Sequence, residues 1–104
     1  EPMNIEISNL HPSSFMIGDA FPNPFNNSIG IEINVRDLEP IDFLVVNVMG
    51  KMVYNEKIMP LRNGIHSFAW KATNNHGQDL PSGIYFLQFN SVNYRSNRKI
   101  TYLK

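Results

Sequence analysis

Ile29, Ile31, Ile33 and Val35 alternate without interruption with Gly30, Glu32, Asn34 and Arg36. In a strand, successive side chains leave opposite faces of a sheet, so this run has one apolar and one polar face. It is the clearest half-buried strand in the 104-residue chain. The segments around it have the same scale. Asp37-Leu38-Glu39-Pro40 makes a turn, and Ile41 to Val48 is nearly all apolar, as suits a central strand covered on most of both faces. Asn47 to Lys51 turns the chain again, with Gly50 supplying a positive φ. Met52 to Ile58 returns as a strand near an exposed edge, with Lys51 and Lys57 flanking it and Glu56 within.

Met59 to Gly64 reads as a loop, and Ile65 to Trp70 as a strand with His66, Phe68 and Trp70 on one face. Lys71 to Ser82 is a long polar loop. Gly83 to Asn90 places Tyr85, Leu87 and Phe89 on one face and Ile84 and Phe86 on the other, and after a turn at 90–93 the last strand runs from Tyr94 to Leu103. Residues 1–20 read as a linker or an added edge strand: Asn4 to Ser8 alternates, His11-Pro12-Ser13-Ser14 is turn chemistry, and Phe15, Met16 and Ile17 pack onto the domain edge. Phe21 to Asn27 cannot be helix, because Pro22 and Pro24 fix φ and lack donors. A polyproline-like course is expected there, pinned by Phe21 and Phe25, with Asn23 and Asn26 bonding local backbone. About seven short strands, and no stretch long enough for a ten-residue amphipathic helix, predict an all-β antiparallel sandwich over residues 21–104.

Composition narrows the function. Hydrophobic residues at 42%, with 12% aromatics, support a packed core without metal or disulfide. Lys+Arg and Asp+Glu balance at 9 each, so there is no electrostatic footprint for nucleic acid. The absence of cysteine removes disulfides and thiolate metal sites. No apolar run approaches the roughly 18–20 residues of a membrane span. The chain starts with Glu1 rather than Met, which points to a larger precursor or a fragment. Its end is locally basic through Arg95, Arg98, Lys99 and Lys104. Those charges suit a solvated edge strand protected from edge-to-edge pairing, or a charge-guided contact with a receptor.

Catalytic and ligand-binding patterns are weak. His11, His66 and His76 are far apart and lack carboxylate or cysteine partners at metal-ligand spacing. The oxygen-rich loop from Thr73 to Asp79 has one carboxylate, too few for a calcium cage, and reads as a turn. The acids fall mostly at strand ends or solvent-facing positions, and Ser82-Gly83 carries glycine on one side only, with no implied base. No catalytic, cofactor or metal residue is assigned. A glycan platform is the main rival, with Tyr54, Trp70, Tyr85, Tyr94 and Tyr102 as available rings, yet Trp70 and Tyr85 sit among apolar same-face neighbours.

Five segments in order carry a family resemblance. They are Phe21-Pro22-Asn23-Pro24-Phe25-Asn26; Val46 to Val53 around Gly50; Gly64 to Trp70; Asn75 to Phe86, containing Ser82-Gly83-Ile84-Tyr85-Phe86; and Arg98-Lys99-Ile100 with Leu103-Lys104. This order resembles the C-terminal sorting domains read by bacterial type IX secretion systems, and the related Ig-like domain of the flagellar hook-cap protein. Asn27 stands where the family often has proline, and Lys71-Ala72 where it often has Asp-Gly. The resemblance implies an Ig-like or fibronectin type III-like sandwich that sends a larger protein across the outer membrane to the cell surface or medium. The implied sorting residues are Pro22, Asn23, Pro24, Phe25, Asn26, Gly50, Gly83, Tyr85, Arg98, Lys99 and Lys104. The implied partners are translocon or receptor proteins and an N-terminal cargo domain of the same precursor, with the domain itself a monomer. Recognition is expected at the final strand, through its edge by strand addition or through its basic face. A structural interaction module in an extracellular or flagellar assembly is the alternative.

Overall fold

The computed structural model describes residues 15–92 and 94–104. The sequence expectations for Asn4–Ser8 and His11–Ser14 lie outside the described residues, as does Asn93. Seven strands are described: β1 (Phe15–Phe21), β2 (Ile29–Val35), β3 (Ile41–Asn47), β4 (Met52–Ile58), β5 (Gly64–Trp70), β6 (Gly83–Asn90) and β7 (Arg95–Tyr102). They form two antiparallel sheets, one ordered β1-β2-β5 and the other β4-β3-β6-β7. No helix occurs among the described residues.

The alternating run builds β2 as its pattern requires. Ile29, Ile31, Ile33 and Val35 are all buried between the sheets. Pairing with β5 sets Ile29 against Trp70 and Ile31 against Phe68. A slip of one residue would turn every isoleucine of β2 to water, so the buried face fixes the register. β1 was not visible as a full strand in the sequence. Phe15 and Ile17 are buried, but the register with β2 shifts between Ile17 and Ala20, and this irregularity breaks the alternation. Residues 22–24 and 26–27 are bends rather than a polyproline run, and the Phe21–Pro22 and Asn23–Pro24 peptide bonds are cis.

The core lies between the layers. Phe43 of β3 is fully buried, with its ring centroid 4.7 Å from Phe68 across the sandwich and 4.9 Å from Phe89 in its own sheet. Trp70 is buried among Phe25, Phe43, Tyr54 and Tyr85. Such edge-on and tilted ring pairs add to the transfer of apolar area from water. The other face of β3 departs from expectation. Ile41, Phe43 and Val45 enter the core, while Leu44 and Val46 sit half-buried on the outer face of the two-layer sandwich. Cover on both faces is therefore only partial.

Because Phe43 touches both sheets, Phe43→Ala should cost about 3–5 kcal/mol of folding stability. A urea titration of the purified domain followed by circular dichroism measures this.

Candidate functional site

The proline-rich segment and the last strand meet at one edge. β7 is an edge strand, so half of its backbone groups face away from β6 and need partners. Asn23 supplies two. Its Nδ2 donates to Lys99 O at 3.1 Å, and its Oδ1 accepts from Thr101 N at 3.0 Å. Phe25 supplies two more through its backbone: its N–H donates to Thr101 O at 3.0 Å, and its carbonyl accepts from Leu103 N at 2.8 Å. The carboxamide of Asn23 carries the same donor and acceptor as a peptide group and so acts as one residue of an added strand. Asn23 thus bonds a distant strand, not local backbone as its turn context implied.

The two phenylalanines of the motif part ways. Phe25 is buried, with its ring 5.0 Å from Tyr102, whereas Phe21 is 77% exposed and pins nothing. Pro22, Pro24 and Asn26 are exposed. The motif holds the edge through Asn23 and Phe25.

Arg98 extends the seal. Side chains of β7 alternate, with Ser96, Ile100 and Tyr102 buried and Lys99 exposed on the outer side. Arg98 shares the inner side, and its guanidinium crosses to β1. Its Nη2 donates to Ile17 O at 2.6 Å and its Nε to Gly18 O at 3.2 Å, while Nη1 donates to Ser96 Oγ and Asn97 O. The carbonyls it bonds lie where β1 loses its regular register with β2. Arg98 therefore spends its donors inside the fold, which the sequence reading of an Arg98-Lys99 basic pair did not anticipate. Lys99 alone of the two points outward. Lys104 is exposed, and its backbone N–H donates to Ser82 Oγ at 2.9 Å.

The remaining motif residues shape turns and strand starts. Gly50 takes a φ of +81° in the β3–β4 turn, where an L side chain is strained. Asn47 Oδ1 closes that turn by accepting from the N–H groups of Met49 and Lys51. Gly83 opens β6 opposite Tyr102. Tyr85 is buried, and its hydroxyl donates to Pro81 O at 2.6 Å, a corner bond of the kind used in Ig-like sandwiches. Burial raises the pKa of the Tyr85 phenol, with neighbouring Tyr102 adding to the shift.

A second asparagine seals the opposite edge of the same sheet, a role with no warning in the sequence beyond its turn context. Asn75 Nδ2 donates to Asn55 O at 2.8 Å, and its Oδ1 accepts from Asn55 N at 3.0 Å, which caps β4. Asn74 Oδ1 accepts from His76 N and Gln78 N. These side-chain oxygens serve the turn itself. Ala72, standing where the family often has glycine, keeps a left-handed turn with φ +60°.

The rival chemistries find little here. Trp70, Tyr85 and Tyr102 are buried, and Tyr54 and Tyr94 pack half-buried on the core, so the five candidate rings form no open platform. His66 is half-buried, with Nε2 2.8 Å from Arg62 O. Among the described residues no three His, Asp or Glu side chains gather at metal-binding range, and no helix is long and apolar enough to cross a membrane.

Two outcomes follow. Asn23→Ala removes both edge bonds and should cost about 1–2 kcal/mol, with faster hydrogen exchange at Thr101 N–H and little change at Leu87. The raised phenol gives a pH signature. The unfolded chain releases the Tyr85 proton first, near its ordinary pKa of about 10, so the stabilisation is full below that pH and is lost as pH rises through the folded value. Urea midpoints of the wild type should therefore fall more steeply above about pH 10 than those of Tyr85→Phe.

The chain is 26% identical over 88 residues to the basal-body rod modification protein FlgD of Buchnera aphidicola subsp. Schizaphis graminum (strain Sg), matching 82% of this chain and 38% of that protein. The crystal structure of FlgD from Xanthomonas campestris, a protein of flagellar hook capping, superposes with a TM-score of 0.56 at 20% identity over 86% of this chain and 62% of that one. Latent PorU from Porphyromonas gingivalis superposes with a TM-score of 0.68 at 16% identity, over 89% of this chain and 10% of PorU. PorZ, a surface component of the type IX secretion system of the same bacterium, gives 0.55 at 14% identity, over 86% and 11%. This chain thus spans about two fifths of its curated relative and a tenth of PorU. At these identities the structural matches establish the Ig-like fold alone. The family model of the secretion system C-terminal sorting domain matches residues 19–102, from the end of β1 to the end of β7. On that match, which takes in the proline-sealed edge and all of the four-stranded sheet, the chain belongs to the secretion system C-terminal sorting domain family.

Proposed function

We propose that this domain acts as a folded, non-catalytic address, which directs a larger passenger through the periplasm and across the outer membrane to the cell surface or medium. The passenger is a domain of the same precursor, joined ahead of β1 through residues 1–14, and the reader is a translocon or receptor protein of a type IX system. One observation carries the reading. The family match begins at Asp19, two residues from the motif that bonds the last strand, and ends at Tyr102 within that strand, so the matched segment takes in the bonded edge together with strands β2 to β7. An address must survive transit as a defined surface, and a sandwich whose last strand is held along its C-terminal half by the proline-rich segment provides one.

The likeness to FlgD supports a second reading, a structural module of an extracellular or flagellar assembly. Export separates the two. Residues 1–104 are fused to the C-terminus of a fluorescent reporter bearing a periplasmic signal peptide, in a bacterium with a type IX system. The reporter should reach the surface or medium. Retention in the periplasm would favour the assembly module.

A further inference from the structure

We infer that the recognition surface is the outer face of the four-stranded sheet, and that its partner is a protein presenting an apolar side chain bordered by carboxylates. This rests on the sorting reading above.

Each edge of that sheet is partly occupied, β7 along its C-terminal half and β4 at its middle residue. Asn23 and Phe25 hold the outward backbone groups of Lys99 and Thr101 on β7 and the N–H of Leu103 just after it, and Asn75 holds those of Asn55 on β4. A partner strand would have to break these bonds before forming its own, so strand addition at the final strand is opposed by the fold. The face is different. β3 and β6 are interior strands, and Leu44, Val46, Ile84 and Phe86 give their outward face an apolar stretch beside the polar Asp42, Gln88 and Asn90. Val46 pairs with Phe86, and Phe86 with Lys99, in one row across the sheet. Val46 and Phe86 are half-buried, whereas Val48, Gly50 and Lys99 around them are exposed. Together they line a shallow cleft of about 650 Å³. Apolar surface left in this way marks a contact site.

Charge selects the partner. Among the described residues the one ion pair is Lys57 with Asp42 at 3.3 Å, in the same outward row as exposed Arg95 at the far end of the face. Among the described residues Lys99 at the cleft and Lys51 beside Gly50 have no carboxylate partner. The Lys99 ammonium lines the cleft beside Val46 and Phe86, with Lys51 next in the chain to Gly50 of its lining, and this arrangement fits an inserted apolar side chain with acidic neighbours. A flat lipid surface reaches a recessed floor poorly, which favours a protein.

The test uses the reporter fusion. Phe86→Ser and Lys99→Glu are made singly and together, with Lys99→Arg as the conservative variant. Each purified domain is checked for cooperative urea unfolding. Lys99 is exposed and outside the core, so Lys99→Glu keeps the experiment informative even if Phe86→Ser fails to fold. The expected result is at least a tenfold drop in exported reporter for Lys99→Glu and a deeper loss for the double variant, with Lys99→Arg near wild type. Wild-type export by Lys99→Glu, beside an exported wild-type fusion, would overturn the inference and leave the sorting reading intact. Failure of the wild-type fusion itself would overturn both. Binding of the purified domain to phosphatidylglycerol vesicles, lost in Lys99→Glu, would overturn it in favour of a lipid contact.

Discussion

The fold depends on how its open side is closed where β1 meets β7. Two stacked sheets bury their inner faces easily, but each leaves two strands with unpaired backbone groups. Here the chain solves the problem with its own first segment. After β1 it bends through Pro22 and Pro24 and lies along β7, where the Asn23 carboxamide and the Phe25 backbone occupy the outward donors and acceptors. Arg98 reaches back from β7 to the β1 carbonyls that its irregular register leaves available. Prolines suit this role because they cannot propagate a ladder, which ends the added strand after a few residues.

The same principle recurs at β4, where Asn75 copies the trick from a turn. Each edge of the larger sheet therefore has backbone groups capped by an asparagine side chain, at Lys99 and Thr101 on β7 and at Asn55 on β4. For any sandwich domain, a free edge is an invitation to mispairing. The final strand thus presents its outer face, with Lys99, to solvent, and the C-terminal half of its edge is covered. Buried aromatic rings strengthen this division of labour. Trp70, Tyr85 and Tyr102 hold the layers together and leave the chemistry of recognition to side chains outside the core.

Much of the architecture was legible in the sequence. Strands β2 to β7 were expected from apolar patterning and turn residues, with β2, β5 and β6 showing the period-two alternation that burial on one face imposes and β3 reading as an almost unbroken apolar run. Gly50 was readable for a similar local reason, since a tight hairpin turn demands a positive φ. β1 was obscured because its register with β2 slips, so its later residues no longer alternate. The site was less legible. Asn23 looked like a turn residue, and Arg98 looked like half of a basic pair. Each instead bonds a partner about eighty positions away, and no local pattern encodes contacts at that distance.

The sequence by itself determined that the chain makes two apolar-faced β layers, with turns where glycine, proline and asparagine stand, because side-chain alternation and backbone limits are local properties. Only the tertiary structure decided which edges are sealed, that Arg98 serves the fold while Lys99 faces solvent, and that Val46 and Phe86 share one exposed face. Those outcomes depend on which strands become neighbours, and neighbourhood is set by the packing of the whole core.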